Sequence, residues 1–563
     1  MESSIDRIMN ERREKAQKLK DLGINPYGND FKPSITNSDF TKKYESFTKE
    51  DLSLIKDTYH VAGRVMSIRS MGKAAFIIIK DAFSSLQLFL QKDSISEQEF
   101  AAFKLLDMGD FIFASGTPMK TKTGELSLAL NSFCITTKTL RPLPEKWHGL
   151  TNVEERYRHR EVDLIVNDSA AWIFRTRSKI IRYLQNFLDE RGFIEVETPI
   201  LNDIAGGAEA KPFLTHHNAL SEDLCLRIAS EIPLKRLIVG GMEKVYEIGR
   251  MFRNEGVSTK HNPEFTSIEF YQAYSTYHDL MLLTEEFFKG LVYHIHKTHI
   301  IEYQGHMLDF SKPFRKVPIA QLVAEHLGYN EQQTQELVNI KSIKQALSIT
   351  HKHLVNFEEG LLTCLKELEI DEMNSLLGDF YKEKLDLHTD LVSISKQLTK
   401  SLSFDEILQI AHKMDLSLDD ERKRSIALNL LYGVFDNEVE QHIIQPTFIT
   451  DFCVANSPLA RKRDSDKAVV DRFELIIAKM EIANAFSELN DPDDQRERFV
   501  KQALKKSMGE EEACEVDEAF LHALEVGMPP CAGQGIGIDR LVMLLTNSPS
   551  IREVILFPKM KRK

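Results

Sequence analysis

Residues 252–274 read FRNEGVSTKHNPEFTSIEFYQAY, in which charged side chains are set among residue types that are otherwise typical of a sheet core. The flanking stretches KVYEIGRMF, 244–252, and EFTSIEFYQAY, 264–274, are rich in the β-branched and aromatic residues that suit pleated surfaces. They predict two antiparallel strands. Gly, Ser, Asn and Pro in the intervening NEGVSTKHNP predict a polar loop that is longer than a tight hairpin turn.

Because successive side chains alternate between the two faces of a strand, parity predicts one apolar and one polar face for this pair. The polar face takes the following residues: Glu247, Gly249, Met251, Arg253, Phe265, Ser267, Glu269 and Tyr271. A solvated charged face, which antiparallel sheets commonly have, explains this pattern as well as a binding surface does. This stretch alone leaves the two explanations equal.

Length and charge narrow the class of protein. A chain of 563 residues with 42% apolar content is long enough for two or three domains and a large core. The 72 basic and 85 acidic residues give a net charge of −13, which argues against a wholly basic nucleic-acid coat but leaves room for local basic patches.

The cysteines and the N-terminus indicate the compartment. Six cysteines are too scattered for a zinc or redox motif, and they predict reduced, mostly structural thiols: Cys134, Cys225, Cys364, Cys453, Cys514 and Cys531. Residues 1–28 lack the apolar core of a signal peptide, and no long apolar run suggests a membrane span. These features predict a cytoplasmic protein.

The pattern along the chain predicts an α+β protein. Residues 1 to about 25 predict a charged helix with a solvated basic face, and five short strands between 58 and 137 predict an OB-type β-barrel. A long helix ending at Gly192 leads into the strand FIEVETPIL, 193–201. Charged sequence with helical periodicity at about 312–443 predicts a helical insertion. The predicted domains are therefore 1–150, with the helix and barrel, and 151–563.

With these blocks in view, the chain resembles the class II aminoacyl-tRNA synthetases, and in particular the bacterial type of lysyl-tRNA synthetase. FIEVETPIL is similar to the first motif of that class, residues 252–274 to the second, and GIGIDRLVML, 535–544, to the third. MGKAAFI, TKTGELS, RPLPEKWHGL, THHNAL, QPTFIT, SPLARKR and AFSELND are similar to the lysine member. Single motifs of this kind are weak signals, whereas their common order and spacing are specific.

The resemblance implies a catalytic domain built on an antiparallel sheet flanked by helices, and a reaction. Lysine is activated by ATP to lysyl-adenylate with release of pyrophosphate, and the lysyl group passes to the 3′ end of tRNA(Lys). The expected partners are thus ATP, L-lysine, tRNA(Lys) and a second copy of the chain, with no DNA and no membrane.

For the nucleotide, the resemblance implies that Arg253 and Arg540 are catalytic, because phosphoryl-type transfer needs positioned cations. The expected ATP-binding residues are Arg253, Glu255, His261, Phe265, Asn484 and Arg540. Phe265 as an ordinary sheet-core residue is an equally good explanation without the resemblance. Mg²⁺ is expected at Glu474 and Glu481, since it needs few carboxylates beside the phosphates. Strict alternation does not bring Glu481 onto the face of Asn484 and Glu488, so a bulge or bend is needed there.

For the amino acid, the expected lysine-binding residues are Gly207, Glu231, Arg253, Glu269, Tyr271, Asn484 and Glu488. Glu231 is expected to hold the α-ammonium and Glu488 the ε-ammonium, because buried charges must meet partners. SEIPL, 230–234, departs from the family's usual Pro-Glu-Leu-Tyr-Leu at Ile232 and Pro233.

In the barrel, the resemblance implies anticodon contacts by Arg69, Phe76, Gln87 and Glu125, since OB folds stack and hydrogen-bond single-stranded bases. Phe76 as barrel core is the alternative. Two rival functions also stay open: a sibling enzyme for aspartate or asparagine, disfavoured by glutamate at both 231 and 488, and a non-enzymatic descendant, disfavoured by the expected residue types at the catalytic positions.

Overall fold

The computed structural model describes residues 4–144, 150, 152–353, 403–507 and 515–561, together with residues 364, 365, 368, 372 and 375. The chain divides into two compact units, Met1–Thr151 and Asn152–Lys563. Within the described residues, no helix combines the length and hydropathy needed to cross a membrane. Cys514 and the middle of the predicted insertion, chiefly residues 354–363 and 376–402, lie outside the described residues.

The first unit is a closed barrel preceded by helices. Its five described strands are hydrogen-bonded in the order β1-β2-β3-β5-β4. The helices are α1 Ser4–Asp21, α2 Asn37–Tyr44, α3 Lys49–Ser53 and α4 Glu97–Phe103, and the strands are β1 Tyr59–Met71, β2 Ala74–Lys80, β3 Ser85–Gln91, β4 Phe111–Lys120 and β5 Leu126–Thr137. The predicted OB-type barrel is confirmed.

Helix α1 differs from its prediction in one respect. Arg12 was expected on a solvated face, but it is buried and donates hydrogen bonds to the carbonyl oxygens of Thr139 and Met108, both at 3.1 Å. Ala16 and Leu19 are buried with it. The prediction for Arg12 was wrong because two carbonyl acceptors from distant chain segments compensate the guanidinium, which helix periodicity alone does not reveal.

The second unit is built on one large mixed sheet. Its eight strands, counted within the described chain, run in the order β14-β15-β18-β19-β20-β11-β10-β6, and neighbours are antiparallel except at the two outermost pairs. The strands are β6 Ile194–Glu195, β7 Leu201–Asn202, β8 Leu214–His217, β9 Glu222–Leu226, β10 Lys244–Phe252, β11 Glu264–Ala273, β12 Ile300–Tyr303, β13 His306–Asp309, β14 Arg315–Pro318, β15 Thr447–Thr450, β16 Lys462–Arg463, β17 Asp466–Val470, β18 Arg472–Ile477, β19 Met480–Ser487 and β20 Cys531–Gly537.

The predicted strand pair forms the sixth and seventh strands of this sheet. β10 and β11 are antiparallel, and Glu247 is opposite Glu269 in their register, so the predicted parity is confirmed. Tyr246, Ile268 and Phe270 of the other face are buried in the main hydrophobic core. Glu247 and Glu269 are themselves buried, which excludes the solvated charged face.

The first motif is not one strand, contrary to the prediction for FIEVETPIL. β6 joins the large sheet through a parallel pair with β10, whereas β7 belongs to a small sheet with β8 and β9. Between them, Pro199 has no backbone N–H to donate to a ladder, and the chain changes sheets there.

Helices flank the sheet. They are α5 Val153–Arg158, α6 Arg160–Val166, α7 Asp168–Asp189, α8 Glu231–Val239, α9 Tyr277–His296, α10 Ile319–His326, α11 Glu331–Val338, α12 Ile343–His353, α13 Phe404–Ser417, α14 Asp420–Val434, α15 Pro492–Ser507, α16 Glu518–Val526, α17 Ile538–Leu545 and α18 Ile551–Val554. The helical insertion, expected from about 312, has its first helix at Ile319. The residues before it form β14, because Arg315–Pro318 pair with β15 in the main sheet.

The bulge expected near Glu481 is present. In the ladder between β18 and β19, Leu475 is opposite Ala483 and Ile476 is opposite Glu481, so Ile482 is the additional residue. Glu474 is opposite Asn484 in the same ladder. Because opposed residues share a face, the bulge turns Glu481 to the side of Glu474 and Asn484.

Candidate active site

A cavity of about 470 Å³ lies over the polar face of the central strands. It is lined by eleven of the predicted site residues: Gly207, Glu231, Arg253, Glu255, His261, Phe265, Glu269, Tyr271, Glu481, Asn484 and Arg540. Glu474 and Glu488 are buried and do not line it. The cavity therefore gathers residues from α8, from the loop between β10 and β11, and from β11, β19 and α17, which are far apart in the sequence.

Arg253 and Phe265 face each other at one end of the strand pair. The guanidinium carbon of Arg253 lies 5.1 Å from the centroid of the Phe265 ring. Phe265 lines the cavity and is half-buried, so it is not an ordinary core residue. The Arg253 backbone N–H donates to the Pro263 carbonyl at 2.9 Å, which fixes the end of the loop. A flat ring and a cation at a cavity wall suit a nucleobase and an anion.

Arg540 connects the third motif to the strand with the bulge. Its Nη1 donates to the Glu481 carbonyl oxygen at 2.7 Å and to Glu481 Oε2 at 3.2 Å, and its Nη2 lies 3.1 Å from His261 Nε2. Burial and then the charge of Arg540 lower the pKa of His261. His261 is thus held as a neutral ring beside a fixed cation.

Asp539 fixes the position of the start of α17, the helix that carries Arg540. It accepts hydrogen bonds from the Thr266 backbone N–H at 2.7 Å and from Arg177 Nη1 at 2.5 Å. The start of α17 is thereby tied to β11 and to α7. Arg540, which follows Asp539, has its direction set by that anchor.

Glu474 and Glu481 form an acidic pair whose charges are only partly compensated. Burial, together with the charges of Glu481 and Glu440, raises the pKa of Glu474 to about 8, although Arg472 opposes the rise. Arg472 Nη2 lies 2.6 Å from Glu474 Oε1, and its Nε donates to Asn484 Oδ1 at 3.1 Å. Carboxylates crowded in this way favour an added cation. Within the described ranges, no group of three or more acidic, histidine or cysteine side chains has the arrangement of a metal centre.

Three charged side chains are buried beside the cavity. Lys235 hydrogen-bonds through Nζ to Glu231 Oε1, one turn earlier on α8, and its Nζ lies 2.5 Å from Glu488 Oε2. The Lys235 and Glu488 side chains have no exposed area. We call these residues the Glu231–Lys235–Glu488 trio.

Glycines admit this close packing at two positions. Gly207 has φ +84, and a side-chain carbon there would lie 3.0 Å from Glu231 Cβ and 3.1 Å from Ala229 Cβ. A carbon on Gly533 would overlap the Tyr271 ring and Glu488 Oε1. Both positions need glycine because another side chain would occupy the space of the carboxylates.

Glu269 is a further buried carboxyl group beside the Glu231–Lys235–Glu488 trio. Burial and the neighbouring charge of Glu231 raise its pKa to about 7, and the Ser230 backbone N–H, which donates to its Oε1 at 3.1 Å, opposes the rise. An approaching cation would lower that pKa again. The end of the cavity that Glu231 and Glu269 border therefore favours a bound positive charge.

Several residues that hold this site, chiefly Lys235, Arg472 and Asp539, are absent from the sequence predictions. For Lys235 and Arg472, the spacing in the sequence already indicated a contact with a site residue. Lys235 is four residues after Glu231, a spacing that brings side chains together on a helix, and Arg472 is two residues before Glu474 on the same strand face. Nothing in the sequence indicated the contact of Lys235 with Glu488, because 253 positions separate the two residues.

The predicted anticodon residues lie on the barrel. Arg69 is opposite Phe76, and Phe76 is opposite Phe89, with ring centroids 5.1 Å apart. Phe76 is half-buried between the core residues Ala75 and Ile77, which point the other way. Phe76 is thus on the outer face, and the barrel-core alternative is excluded.

The other two residues of that set are close to one another through Ser127. Gln87 Nε2 donates to Ser127 Oγ at 2.9 Å, and Ser127 Oγ donates to the Glu125 carbonyl oxygen at 3.4 Å. Glu125 is exposed, just before β5. An exposed charged, amide and aromatic set on a barrel face suits single-stranded nucleic acid.

Comparison with known proteins agrees with this architecture. Residues 152–561 match the family model of class II tRNA synthetases (D, K and N), and residues 59–135 match that of the OB-fold nucleic acid binding domain. The chain belongs to the class II tRNA synthetases.

Relatives narrow the class further. The chain is 42% identical to the lysine–tRNA ligase of Staphylococcus epidermidis RP62A over 100% of both chains. It is 44% identical to that of Anaeromyxobacter sp. strain K over 99% of this chain and 98% of the relative, and 43% identical to that of Staphylococcus aureus MW2 over 98% of both. Within the class, it belongs to the lysine–tRNA ligase family.

Proposed function

We propose that the protein activates L-lysine with ATP and transfers the lysyl group to the 3′ end of tRNA(Lys). The observation that carries this proposal is the composition of the cavity. One end has two arginines and an aromatic ring, and the other end is bordered by the carboxylates of Glu231, Glu269 and the buried Glu488. A substrate with one carboxylate and two ammonium groups complements that division of charge.

At the nucleotide end, Phe265 stacks on adenine and Arg540 binds the terminal phosphates, with Glu255 and His261 as further contacts from the loop. Arg253 lies between the two substrates and binds the lysine carboxylate and the α-phosphate as they react. Its fixed charge stabilises the negative charge that develops there, and no reorganisation is needed at that moment.

The metal ion is Mg²⁺, and its proposed ligands are Glu474 and Glu481. Their fit rests on the crowded carboxylates, which need a further cation, and on oxygen ligands, which Mg²⁺ prefers. When bound, Mg²⁺ neutralises phosphate charge. Asn484, held by Arg472, lies between the acidic pair and the amino-acid end and contacts both substrates.

At the amino-acid end, Glu231 and the glycine at 207 hold the α-ammonium group, and Glu488 and Tyr271 hold the ε-ammonium group. Glu269 adds the third carboxylate. Aspartate or asparagine would bring an acidic or neutral side chain to this end and would leave buried carboxylates unpaired. This argument favours lysine over the sibling substrates.

The barrel supplies the RNA contacts, through Arg69, Phe76, Gln87 and Glu125. The outward-facing ring of Phe76 stacks on a base, and the neighbouring polar groups read its edge. The proposed assembly is a homodimer, and the proposed location is the cytoplasm.

ATP–pyrophosphate exchange across the twenty amino acids, followed by charging of tRNA(Lys), tests this function. We expect exchange that depends on L-lysine and charging that requires the tRNA. Exchange with aspartate or asparagine would establish the sibling enzyme, and absence of exchange with every amino acid would establish a non-enzymatic protein.

Glu488→Gln tests how lysine is selected. The change keeps the size of the side chain and removes its charge, so lysine affinity should fall about a hundredfold or more, as when one member of a buried charge pair is lost. Calorimetric titration with L-lysine and with an ATP analogue measures both substrates. A shift in ATP affinity with unchanged lysine affinity would contradict the assignment of Glu488.

A further inference from the structure

The Glu231–Lys235–Glu488 trio contains a cation that the proposed reaction does not use. Lys235 is completely buried, and its ammonium group contacts two carboxylates, each proposed above to bind one ammonium group of the substrate. A buried lysine is retained where its charge is fully paired. Its position between both lysine-selecting carboxylates calls for a role beyond packing.

Each carboxylate has one oxygen directed to Lys235. Glu231 uses Oε1 and Glu488 uses Oε2. Oε1 of Glu488, although buried, accepts no hydrogen bond from the described part of the chain. Glu231 lines the cavity, and its Oε2 accepts no hydrogen bond from the described residues either. A buried carboxylate oxygen without a donor indicates a place for a ligand.

The net charge of the region also complements that of L-lysine. Glu231, Glu269 and Glu488 carry three negative charges, and Lys235 and Arg253 carry two positive charges, so the ionised site has one excess negative charge. L-Lysine, with two ammonium groups and one carboxylate, has one excess positive charge. With Lys235 in place, the occupied site is neutral.

We infer that Lys235 is a specificity-determining positioning residue: its ammonium group holds one oxygen of Glu231 and one of Glu488, favours the ionised form of both groups, and leaves the second oxygens for the two ammonium groups of the substrate. This inference rests on the proposed function. Lys235 does not touch the reacting atoms, and it acts through the two carboxylates.

The electrostatics of the trio support this role. Burial raises the pKa of Glu488 and of Glu231, and Lys235 opposes the rise in both. Burial would lower the pKa of Lys235, but the two carboxylates raise it above its ordinary value. The groups that face the trio from neighbouring elements are Arg253, Glu269, Tyr271, Arg472 and Cys531, together with the rings of Phe486 and Phe520.

Removal of the Lys235 ammonium group should therefore shift the pH dependence of lysine binding. Without Lys235, the pKa of Glu231 or Glu488 rises further, and a larger fraction of that group is protonated at neutral pH. Lysine binding requires the ionised form, so affinity should recover as pH increases. A residue that served only packing would lower stability without moving this profile.

Lys235→Met, which keeps the aliphatic length, is the test variant. L-Lysine and an ATP analogue are titrated calorimetrically from about pH 6 to about pH 9. We expect lysine affinity about tenfold or more weaker near neutral pH, because each unit by which a carboxyl pKa exceeds the pH lowers its ionised fraction about tenfold. The midpoint of the pH profile should move upward by about one unit or more, and ATP affinity should not change.

The barrel offers a matched control. Lys138 is also fully buried, with Nζ 2.5 Å from Asp107 Oδ2 and 2.6 Å from Asp110 Oδ2. Lys138→Met removes the same kind of cation in the other unit, from a cluster of one lysine and two carboxylates that are aspartates instead of glutamates. Its lysine affinity and pH profile should equal those of the parent.

The outcomes separate the inference from the proposed function. A parent protein that does not bind L-lysine contradicts the proposed function. A parent that binds it while Lys235→Met has the same affinity and midpoint overturns the inference alone.

If Lys235→Met does not fold, by circular dichroism, Lys235→Arg decides. The charge is kept, so the midpoint should stay, but the larger fork occupies more carboxylate oxygens, and lysine affinity should fall about tenfold. Unchanged lysine affinity in Lys235→Arg overturns the inference.

Discussion

At the scale of single residues, the buried carboxyl group of Glu269 lowers the free energy of unfolding when it is ionised. Its folded pKa of about 7 lies above the ordinary value of 4.5, because the group is buried beside Glu231. The folded state therefore binds more protons than the unfolded state between those two values. The stability that this group contributes at low pH is lost as pH rises through about 7.

Glu269→Gln should remove this pH-dependent loss. In the absence of lysine, the variant should be more stable than the parent above pH 7, by at most about 3 kcal/mol, and the gain should vanish near pH 4. Denaturant unfolding at the two pH values measures the difference. The same variant should bind lysine more weakly, so equal stability together with equal lysine affinity would contradict the role of Glu269.

Arg253→Ala should abolish amino-acid activation and leave the fold intact. The guanidinium is needed where negative charge develops, and loss of one such contact commonly costs about a hundredfold or more in rate. Lysine-dependent exchange measures the effect. Arg250→Ala, on the same strand but in an exposed pair with Glu264 at 3.7 Å, is the control and should be near the parent. Exchange by Arg253→Ala within about threefold of the parent would end the assignment.

At the scale of elements, sequence patterns predicted what depends on local chemistry. The antiparallel pair of β10 and β11 followed from residue type and parity, and the need for a bulge near Glu481 followed from parity together with the resemblance, which places Glu481, Asn484 and Glu488 in one site. Two features were outside that reach. The division of the first motif between two sheets depends on partners elsewhere in the chain, and so does the contact of Lys235 with Glu488. Local periodicity has no information about such partners.

The barrel and the catalytic unit should respond separately to mutation. Phe76→Ala and Glu125→Ala should raise the KM for tRNA in charging about tenfold, since stacking of one base is worth about 1–3 kcal/mol. ATP–pyrophosphate exchange should not change, because it requires no tRNA. Phe83→Ala, which removes an exposed ring from a turn of the same barrel, is the control. Equal losses in both assays would mean that Phe76 and Glu125 hold the fold.

At the scale of the whole molecule, the surface near the first motif is unusually apolar. Exposed apolar side chains occur along this segment at Ile194, Ile200, Leu201, Leu214 and Leu220. Groups of this kind commonly mark a contact surface. They support the proposed homodimer and explain why a segment with so little regular structure is rich in aliphatic residues.

Leu201→Glu should weaken dimerisation, because it places a charge in a contact that buries apolar surface. Light scattering at micromolar concentration should find a dimer for the parent and a larger share of monomer for the variant. Leu416→Glu changes an even more exposed leucine, on α13, and should remain dimeric. A fully active monomeric parent would contradict the proposal.

The bulge at Ile482 also affects how the enzyme could be redesigned. β19 carries Glu481 before the bulge, and Asn484 lies beyond it on the way to Glu488. The extra residue separates the strand into two segments, each with its own alternation of side chains. Substitutions beyond the bulge can alter the choice of amino acid without turning Glu481 away from the nucleotide. The proposed lysine contact of Glu488, just past the end of β19, is therefore adjustable separately from the proposed metal ligand Glu481, whereas a change at Asn484 should affect both substrates.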